Sequence, residues 1–182
     1  YEDITSTQID VAFEIVESPI EALVGAHAVI WTTTPWTIPV NQALAYGPDV
    51  EYRLVSAGGK RCLVANELYQ AFLVRSGQSP TLSEILEETT EPVRAPIASG
   101  PIDEVGLIKG SDLAGTIARH PMHHLGGFFA KPRPLLAGDF VTTDSGTGLV
   151  HMAPDHGEDD FDLCKANGID PVFAVTGEGK YR

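Results

Sequence analysis

Short runs of apolar residues, interrupted by glycine and proline, make up most of the pattern along the chain. Residues 9–16 alternate apolar and polar side chains, and residues 26–34 are rich in β-branched and aromatic side chains up to Pro35. Both patterns predict strands. Further runs of this kind are also predicted to be strands, at 51–57, 60–65, 104–110, 115–120, 134–142, 148–153 and 171–175.

Helical patterns are rarer. Asn66 is a candidate N-cap for a helix over 67–76, and a shorter helix is predicted over 81–88. A third helix is predicted from Glu158 to Asn167, ended by Gly168. The proline-rich segments between these elements are predicted to be irregular, at 89–101 and 121–134.

The order of the elements indicates the fold class. Gly58-Gly59, between two predicted strands, is typical of a two-residue hairpin turn. No regular βαβ alternation is present, so antiparallel pairing is favoured. We predict an α+β fold with a mostly antiparallel β-barrel core and a few peripheral helices. The length of 182 residues suits one domain, so 1–182 is predicted to be a single domain.

Composition narrows the class of protein. Apolar residues make up 43% of the chain and charged residues 20%, which is typical of a globular domain. Cys62 and Cys164 form no CxxC pair, which disfavours a disulfide framework and fits a reducing cytoplasm. No apolar run is long enough for a membrane helix, so we expect a cytoplasmic protein with no membrane contact. The start without Met suggests a fragment cut from a longer protein.

Charge argues against a protein that tracks along nucleic acid. The formal net charge is -13, whereas such proteins usually carry a basic surface. The segment from Leu113 to Gly138 is an exception, because it has no acidic residue but contains Arg119, Lys131 and Arg133. A phosphate contact there stays open, although a solvated basic loop is the favoured explanation.

The first motif with chemical potential is WTTTPWT at 31–37, followed by IPVN at 38–41. Successive threonines on a strand place hydroxyls on both faces, because side chains alternate. Pro35 removes a backbone donor and favours an extended Thr34. Such a strand end suits a neutral polar ligand such as a ribose or an ester. A β-propensity run followed by a proline turn explains the same residues without a ligand.

The second motif is GTGLVHMAPDHGEDDF at 146–161. A predicted strand carries His151 and ends at Pro154, and the following helix has three acidic residues, 158–160, in its first turn. The helix dipole stabilises each carboxylate there by roughly 0.3–1 kcal/mol. One carboxylate beside a pocket would also bind an ammonium group. Capping and solubility explain the same acids, and we favour that explanation for Glu158.

Histidines raise the alternative of a metal-dependent hydrolase. Neither of the two groups has the spacing of a known zinc motif, and we predict no metal site. The candidate ligand groups are His151, His156 and Asp160, and His120, His123 and His124.

Together the two motifs resemble the editing domain of bacterial isoleucyl-tRNA synthetase, the connective insertion in the Rossmann core of that class I enzyme. The resemblance runs from 9–13 to the final GKYR and is weakest over 79–112. Thr34 and Trp36 match the isoleucyl form, since the valyl and leucyl relatives carry Arg and an acid there. The resemblance implies the shared editing-domain fold of these synthetases.

The resemblance also implies hydrolysis of valine wrongly esterified to isoleucine tRNA. An apolar pocket rejects a side chain lacking one methylene only weakly, a limit for which aminoacyl-tRNA synthetases are themselves the worked example. It further implies that Asp160 binds the α-ammonium group, that His151 excludes isoleucine, and that Asn41 contacts substrate. The pocket would be lined by Trp31, Thr32, Thr33 and Thr34. Asp160, Thr34 and His151 are the predicted catalytic residues, acting on a positioned water.

The implied partners are the 3′ CCA end of the isoleucine tRNA carrying valine, and the remaining synthetase domains. A monomer is expected. No cofactor is expected in this domain, because the HIGH-like and KMSKS-like motifs that would use ATP and magnesium are absent from the sequence. A stand-alone trans-editing or binding module is a second alternative.

Overall fold

The computed structural model of the chain describes residues 7–77, 100–102, 105–173, 176, 178 and 180. The strands are β1 (Ile9–Glu17), β2 (His27–Thr32), β3 (Ala43–Tyr46), β4 (Glu51–Ala57), β5 (Lys60–Ala65), β6 (Gly100–Pro101), β7 (Ile108–Lys109), β8 (Ile117–Arg119), β9 (Pro132–Ala137) and β10 (Leu149–Met152). The α-helices are α1 (Tyr69–Arg75) and α2 (Glu158–Ala166). Short 3₁₀ helices span Glu21–Leu23, Pro35–Val40, Gly110–Leu113, His123–Leu125 and Gly127–Ala130.

The described strands form one mixed sheet in the order β10-β3-β9-β8-β1-β2-β5-β4-β6, with β7 also paired to β4. Most neighbours are antiparallel, and the parallel pairs are β2 with β5 and β3 with β9. The pairing of β1 with β2 places Asp10 opposite Trp31, which fixes the register of the first motif. The prediction of an α+β fold with mostly antiparallel strands and few helices is confirmed.

The sheet does not close into the predicted barrel. Among the described strands, β10 ends the hydrogen-bonded order, and no ladder joins it to β2 or β5. Only isolated bonds cross this seam: the Ala65 N–H donates to the Thr147 carbonyl at 2.8 Å, and the Tyr52 hydroxyl to the Gly148 carbonyl at 2.7 Å. Closure needs a continuous register. The chain instead enters β10 through Gly146 and Gly148 at φ 81° and 74°, outside extended backbone.

Buried apolar side chains support the sheet and fix the position of α2. Alternation along β1 buries Phe13 and Ile15 completely, and each such side chain contributes roughly 1.5–3 kcal/mol. On α2, Cys164 is fully buried and packs with Met152 of β10 and Val141. The first turn of α2 is therefore held beside the end of β10.

The predicted turns and helix ends agree with the structure in some places and not in others. Gly58 and Gly59 have φ of 57° and 75°, as the hairpin prediction requires. The predicted N-cap for α1 is wrong, because the helix begins at Tyr69 and Leu68 precedes it with no side-chain cap. Asn66 instead extends the pairing of β5, since its N–H donates to the Glu51 carbonyl.

The predicted helix from Glu158 is confirmed, with Asn167 as its C-cap and Gly168 at φ 73°. The predicted helix over 81–88 lies outside the described residues. No helix in the described part of the chain has both the length and the apolar character needed to cross a membrane.

Several predicted strand bounds differ from the structure. The strand predicted at 134–142 is β9, which ends at Ala137, and the one at 104–110 shrinks to β7. Residues 171–173 form no strand, because the Val172 N–H donates to the side chain of Gln42 instead of to a neighbouring backbone. β3 was not predicted, since it follows the 3₁₀ helix Pro35–Val40 almost directly.

Candidate functional site

The two sequence motifs meet at one cleft, beside the unpaired seam between β2 and β10. Its volume is about 330 Å³, near the lower end of the roughly 300–1,000 Å³ of small-molecule sites. The residues that line it are Trp31, Thr32, Thr33, Thr34, Trp36, Thr37, Val150, His151, Ala153, His156, Gly157 and Asp160. Thr33 and Asp160 thus face the same cavity, although they are far apart in sequence.

The threonine wall, residues 31–37, is shaped by its own hydrogen bonds. The Thr34 N–H donates to Thr32 Oγ1 at 3.0 Å, and the Thr37 hydroxyl donates to the Thr34 carbonyl at 2.8 Å. Pro35 begins the 3₁₀ helix, where its missing N–H costs nothing. These local bonds fix the backbone of the wall before any ligand binds.

His151 on β10 is held by the threonine wall. Its Nε2 lies 3.1 Å from Thr37 Oγ1. Because the Thr37 hydroxyl proton goes to the Thr34 carbonyl, Nε2 carries a proton and donates it to Thr37. Burial, together with the nearby His156 and His120, lowers the pKa of His151 to about 4. At neutral pH this imidazole is an uncharged, fixed part of the cleft.

Asp160 joins α2 to the end of β10. Its Oδ2 accepts from the Ala153 N–H at 2.8 Å, which fixes the orientation of the carboxylate. Burial raises the pKa of Asp160, while the Ala153 N–H and His156 lower it. Of the three acids in the first turn of α2, Asp160 is the partly buried one, and Glu158 and Asp159 are exposed.

Aromatic side chains form the rim of the cleft. Trp36 is 48% exposed, and the His156 ring meets it edge-on at 4.8 Å between centroids. Trp31 packs on Gly146, where an added Cβ would lie 3.3 Å from the indole. Such a rim suits a flat apolar group with a polar edge.

The proteins that this chain resembles in sequence are isoleucine–tRNA ligases. The chain is 53% identical over 182 residues to the ligase of Zymomonas mobilis, covering all of this chain but 17% of that protein. It is 42% identical over 193 residues to the ligase of Gluconobacter oxydans, of which it covers 18%. No family model matches the chain.

The fold also has a solved counterpart. The crystal structure of GlLeuRS-CP1 matches with a TM-score of 0.54 at 19% identity, over 77% of this chain and 43% of that one. The chain corresponds to one segment of the isoleucine–tRNA ligases and has the fold of the LeuRS-CP1 structure. It spans about a sixth of the length of the relatives named above.

Asn41 is the predicted site residue that the structure does not bring to the cleft. Its side chain is fully buried, and Nδ2 donates to the Ala43 carbonyl at 2.7 Å. It therefore holds the connection between the 3₁₀ helix Pro35–Val40 and β3, and this position gives no support to a contact with substrate.

Thr37 and His156 line the cleft, although the sequence analysis gave neither a role in binding or hydrolysis. Thr37 belongs to the first motif, and its bond to His151 spans 114 positions, so no local signal indicated it. His156 was considered only as a metal ligand. Its position between Pro154 and α2 was the available signal, because a loop between a strand and a helix often carries functional residues.

In the second histidine group, His120 and His123 are held by bonds to the backbone. His120 is fully buried, with Nε2 2.9 Å from the Ile38 carbonyl and Nδ1 accepting from the Met122 N–H at 3.0 Å. Both ring nitrogens are therefore used. His123 Nδ1 lies 3.0 Å from the His120 carbonyl. Within the described ranges, no three potential ligands are grouped closely enough to hold a metal ion.

Proposed function

We propose that this domain hydrolyses the ester of valine misattached to isoleucine tRNA. The observation that carries the proposal is the cleft in which the Asp160 carboxylate and the neutral His151 face the threonine wall. A carboxylate, a fixed uncharged side chain and hydroxyls are the groups needed for an amino acid joined to a ribose.

Asp160 would bind the α-ammonium group of the valyl ester. The carboxylate is already oriented by the Ala153 N–H, so little conformational freedom is lost on binding. Hydrogen bonds between two charged groups are roughly twice as strong as neutral ones. This contact would fix the amino acid backbone and place its ester carbonyl at the wall of threonines.

His151 would set the size limit for the amino acid side chain. Its bond to Thr37 keeps the ring in place, and a fixed ring cannot move aside for the extra methylene of isoleucine without breaking that bond. Valine would fit and isoleucine would not, so correctly charged tRNA would be spared.

The nucleophile would be a water held between the threonine wall and the substrate, with no covalent enzyme intermediate. Positioning of two reactants can supply much of the acceleration of an ester hydrolysis. We propose that the step needs no cofactor, and that ATP and magnesium serve the catalytic core of the parent ligase. That core would hold most of the tRNA, while the 3′ CCA end reaches this domain, which would act as a monomer in the cytoplasm.

The test measures how fast the full chain deacylates isoleucine tRNA charged with valine or with isoleucine. The valyl and isoleucyl esters of adenosine are measured in the same way. We expect hydrolysis of the valyl forms, little of the isoleucyl forms, and no effect of a chelator. Equal hydrolysis of both amino acids contradicts the specificity, and no hydrolysis of either contradicts the activity. A loss of rate with chelator would support the metal-dependent alternative.

A further inference from the structure

Asp155 and His156 lie side by side in the loop between β10 and α2. Asp155 Oδ2 is 3.3 Å from His156 Nε2. The Asp155 side chain is only 5% exposed, and its Oδ1 is buried without a hydrogen-bond partner in the described part of the chain. His156 lines both the cleft and a neighbouring groove of about 670 Å³.

A buried carboxylate is costly unless a donor or a positive charge compensates it. Among the described residues, the polar side chain beside the Asp155 carboxylate is the His156 imidazole. A negative charge 3.3 Å from Nε2 favours the tautomer with the proton on that nitrogen, which leaves Nδ1 as the proton acceptor. The edge-on contact with Trp36 restricts the ring from another side.

We propose that His156, oriented by Asp155, is the general base of the hydrolysis, which rests on the proposed function. Nδ1 takes a proton from the water as the water oxygen bonds to the ester carbonyl carbon. The bond from that carbon to the ribose oxygen then breaks, and the ribose oxygen receives the proton from Nδ1. The products are valine and the free hydroxyl of the terminal ribose, and the imidazole returns to its initial state.

The other titratable groups recorded at the cleft are poorly suited to this step. His151 donates through Nε2 to Thr37, and its Nδ1 is buried. Its pKa of about 4, lowered by burial, also makes it a weak base at neutral pH. Asp160 accepts from Ala153 and is the proposed partner of the ammonium group. His156 is the remaining proton acceptor.

Asp155 then has the part of a positioning residue, like the carboxylate that orients the histidine in a hydrolase triad. It does not touch the substrate. Its buried charge would favour the correct tautomer and stabilise the imidazolium formed as water loses its proton.

The first experiment compares His156→Gln, Asp155→Asn and the control Glu158→Gln on the valyl adenosine ester, in the full chain. General-base catalysis is worth roughly 10²–10⁴-fold. We expect kcat to fall about 100-fold in H156Q and about 10-fold in D155N, with KM unchanged. Glu158 is exposed at the first position of α2, and E158Q should retain the wild-type rate. Urea unfolding of each variant checks the fold.

The second experiment is the pH dependence of kcat. The charged and titratable groups facing His156 are Asp155 in its loop, His151 on β10, Asp160 on α2, and the groove residues Glu158, Asp159 and Asp162. A general base acts in its unprotonated form, so kcat of the wild type should rise with pH to a plateau. The rise should disappear in H156Q and shift in D155N.

Chemical rescue supplies a readout that a structural role would not move. Added imidazole should restore part of the activity of His156→Ala and none of that of Asp160→Ala. Wild-type kcat in H156Q, a persistent pH rise in that variant, or no rescue of H156A would each overturn the inference. If the wild type hydrolyses no valyl ester, the proposed function fails instead, so the two failures are distinguishable.

Discussion

The two walls of the cleft are built by different means. The threonine wall, residues 31–37, is uncharged, and the hydrogen bonds within it join residues two or three positions apart. The opposite wall carries His151, His156 and Asp160, which come from β10, a loop and α2. Its titratable groups are held by contacts to the backbone, to Thr37 and to one another.

This difference indicates that the two walls have different roles. A wall made of short-range backbone bonds defines a shape that does not change with pH. A wall of ionisable side chains defines charge. Burial lowers the pKa of His151 and raises the pKa of Asp160, and both shifts favour the neutral form of the side chain. We call the wall with His151, His156 and Asp160 the charged wall. Substitutions there should alter the rate or specificity of hydrolysis, and substitutions in the threonine wall should alter stability as well.

The largest effect is expected at Asp160. Asp160→Asn keeps an acceptor for the Ala153 N–H but removes the charge that would bind the substrate ammonium. Loss of one partner of such a pair costs roughly 2–5 kcal/mol, so deacylation of valyl-tRNA should fall at least about 30-fold. The control is Asp159→Asn, an exposed acid on the same turn, which should keep the wild-type rate. Undiminished turnover in the Asp160 variant would remove this residue from its role.

A smaller effect on rate, but a change in specificity, is expected at His151. His151→Ala should admit isoleucine, because the ring that limits the side-chain space is gone. The ratio of valyl to isoleucyl ester hydrolysis should drop by about 10–100-fold, the range set by one methylene. The measurement is kcat/KM for both adenosine esters, with the exposed His124→Ala as control. If the variant still rejects isoleucine, another group sets the size limit.

These two positions also show what sequence alone could predict. The resemblance to a known family implied one pocket for both motifs, and residues of both line one cavity. The local patterns predicted only that each motif ends a strand or begins a helix. The hairpin at Gly58-Gly59 and the helix from Glu158 were predictable for the same reason.

What could not be predicted depends on contacts distant in sequence. Asn41 follows the first motif directly, yet its amide is used to hold the backbone of Ala43. The bond between Thr37 and His151 exists only because β10 lies beside the end of β2. The prediction of a closed barrel was wrong for a related reason. Alternation of apolar and polar residues predicts strands, but it does not show whether the last strand pairs with another to close the sheet.

The threonine wall can be tested through Thr37. Thr37→Val removes the hydroxyl that joins the Thr34 carbonyl to His151 Nε2. Leaving a buried donor without a partner costs about 1–3 kcal/mol, so the free energy of unfolding should fall by about 2 kcal/mol in urea titrations. Thr37→Ser should restore most of it, and the exposed Thr142→Val should change nothing. A stable Thr37→Val with normal specificity would show that His151 is held by other contacts.

The smallest effect expected is a pH dependence of stability from His151. Its pKa in the folded chain is about 4, against roughly 6.5 for an unfolded histidine. The unfolded state therefore binds more protons in this range, and the free energy of unfolding should fall as the pH drops from about 6.5 to 4. Since the ring is partly exposed, we expect about 1–2 kcal/mol from this residue.

The comparison of wild type with His151→Gln separates this contribution from that of other groups. Burial also lowers the pKa of His120 and raises that of Asp160, so both chains should show some dependence on pH. Glutamine can still donate to Thr37 but does not titrate. Urea unfolding at pH 7 and at pH 4.5 should therefore show a smaller loss in H151Q than in the wild type. Equal losses would mean that His151 takes up protons equally in the folded and the unfolded chain, so that burial does not lower its pKa.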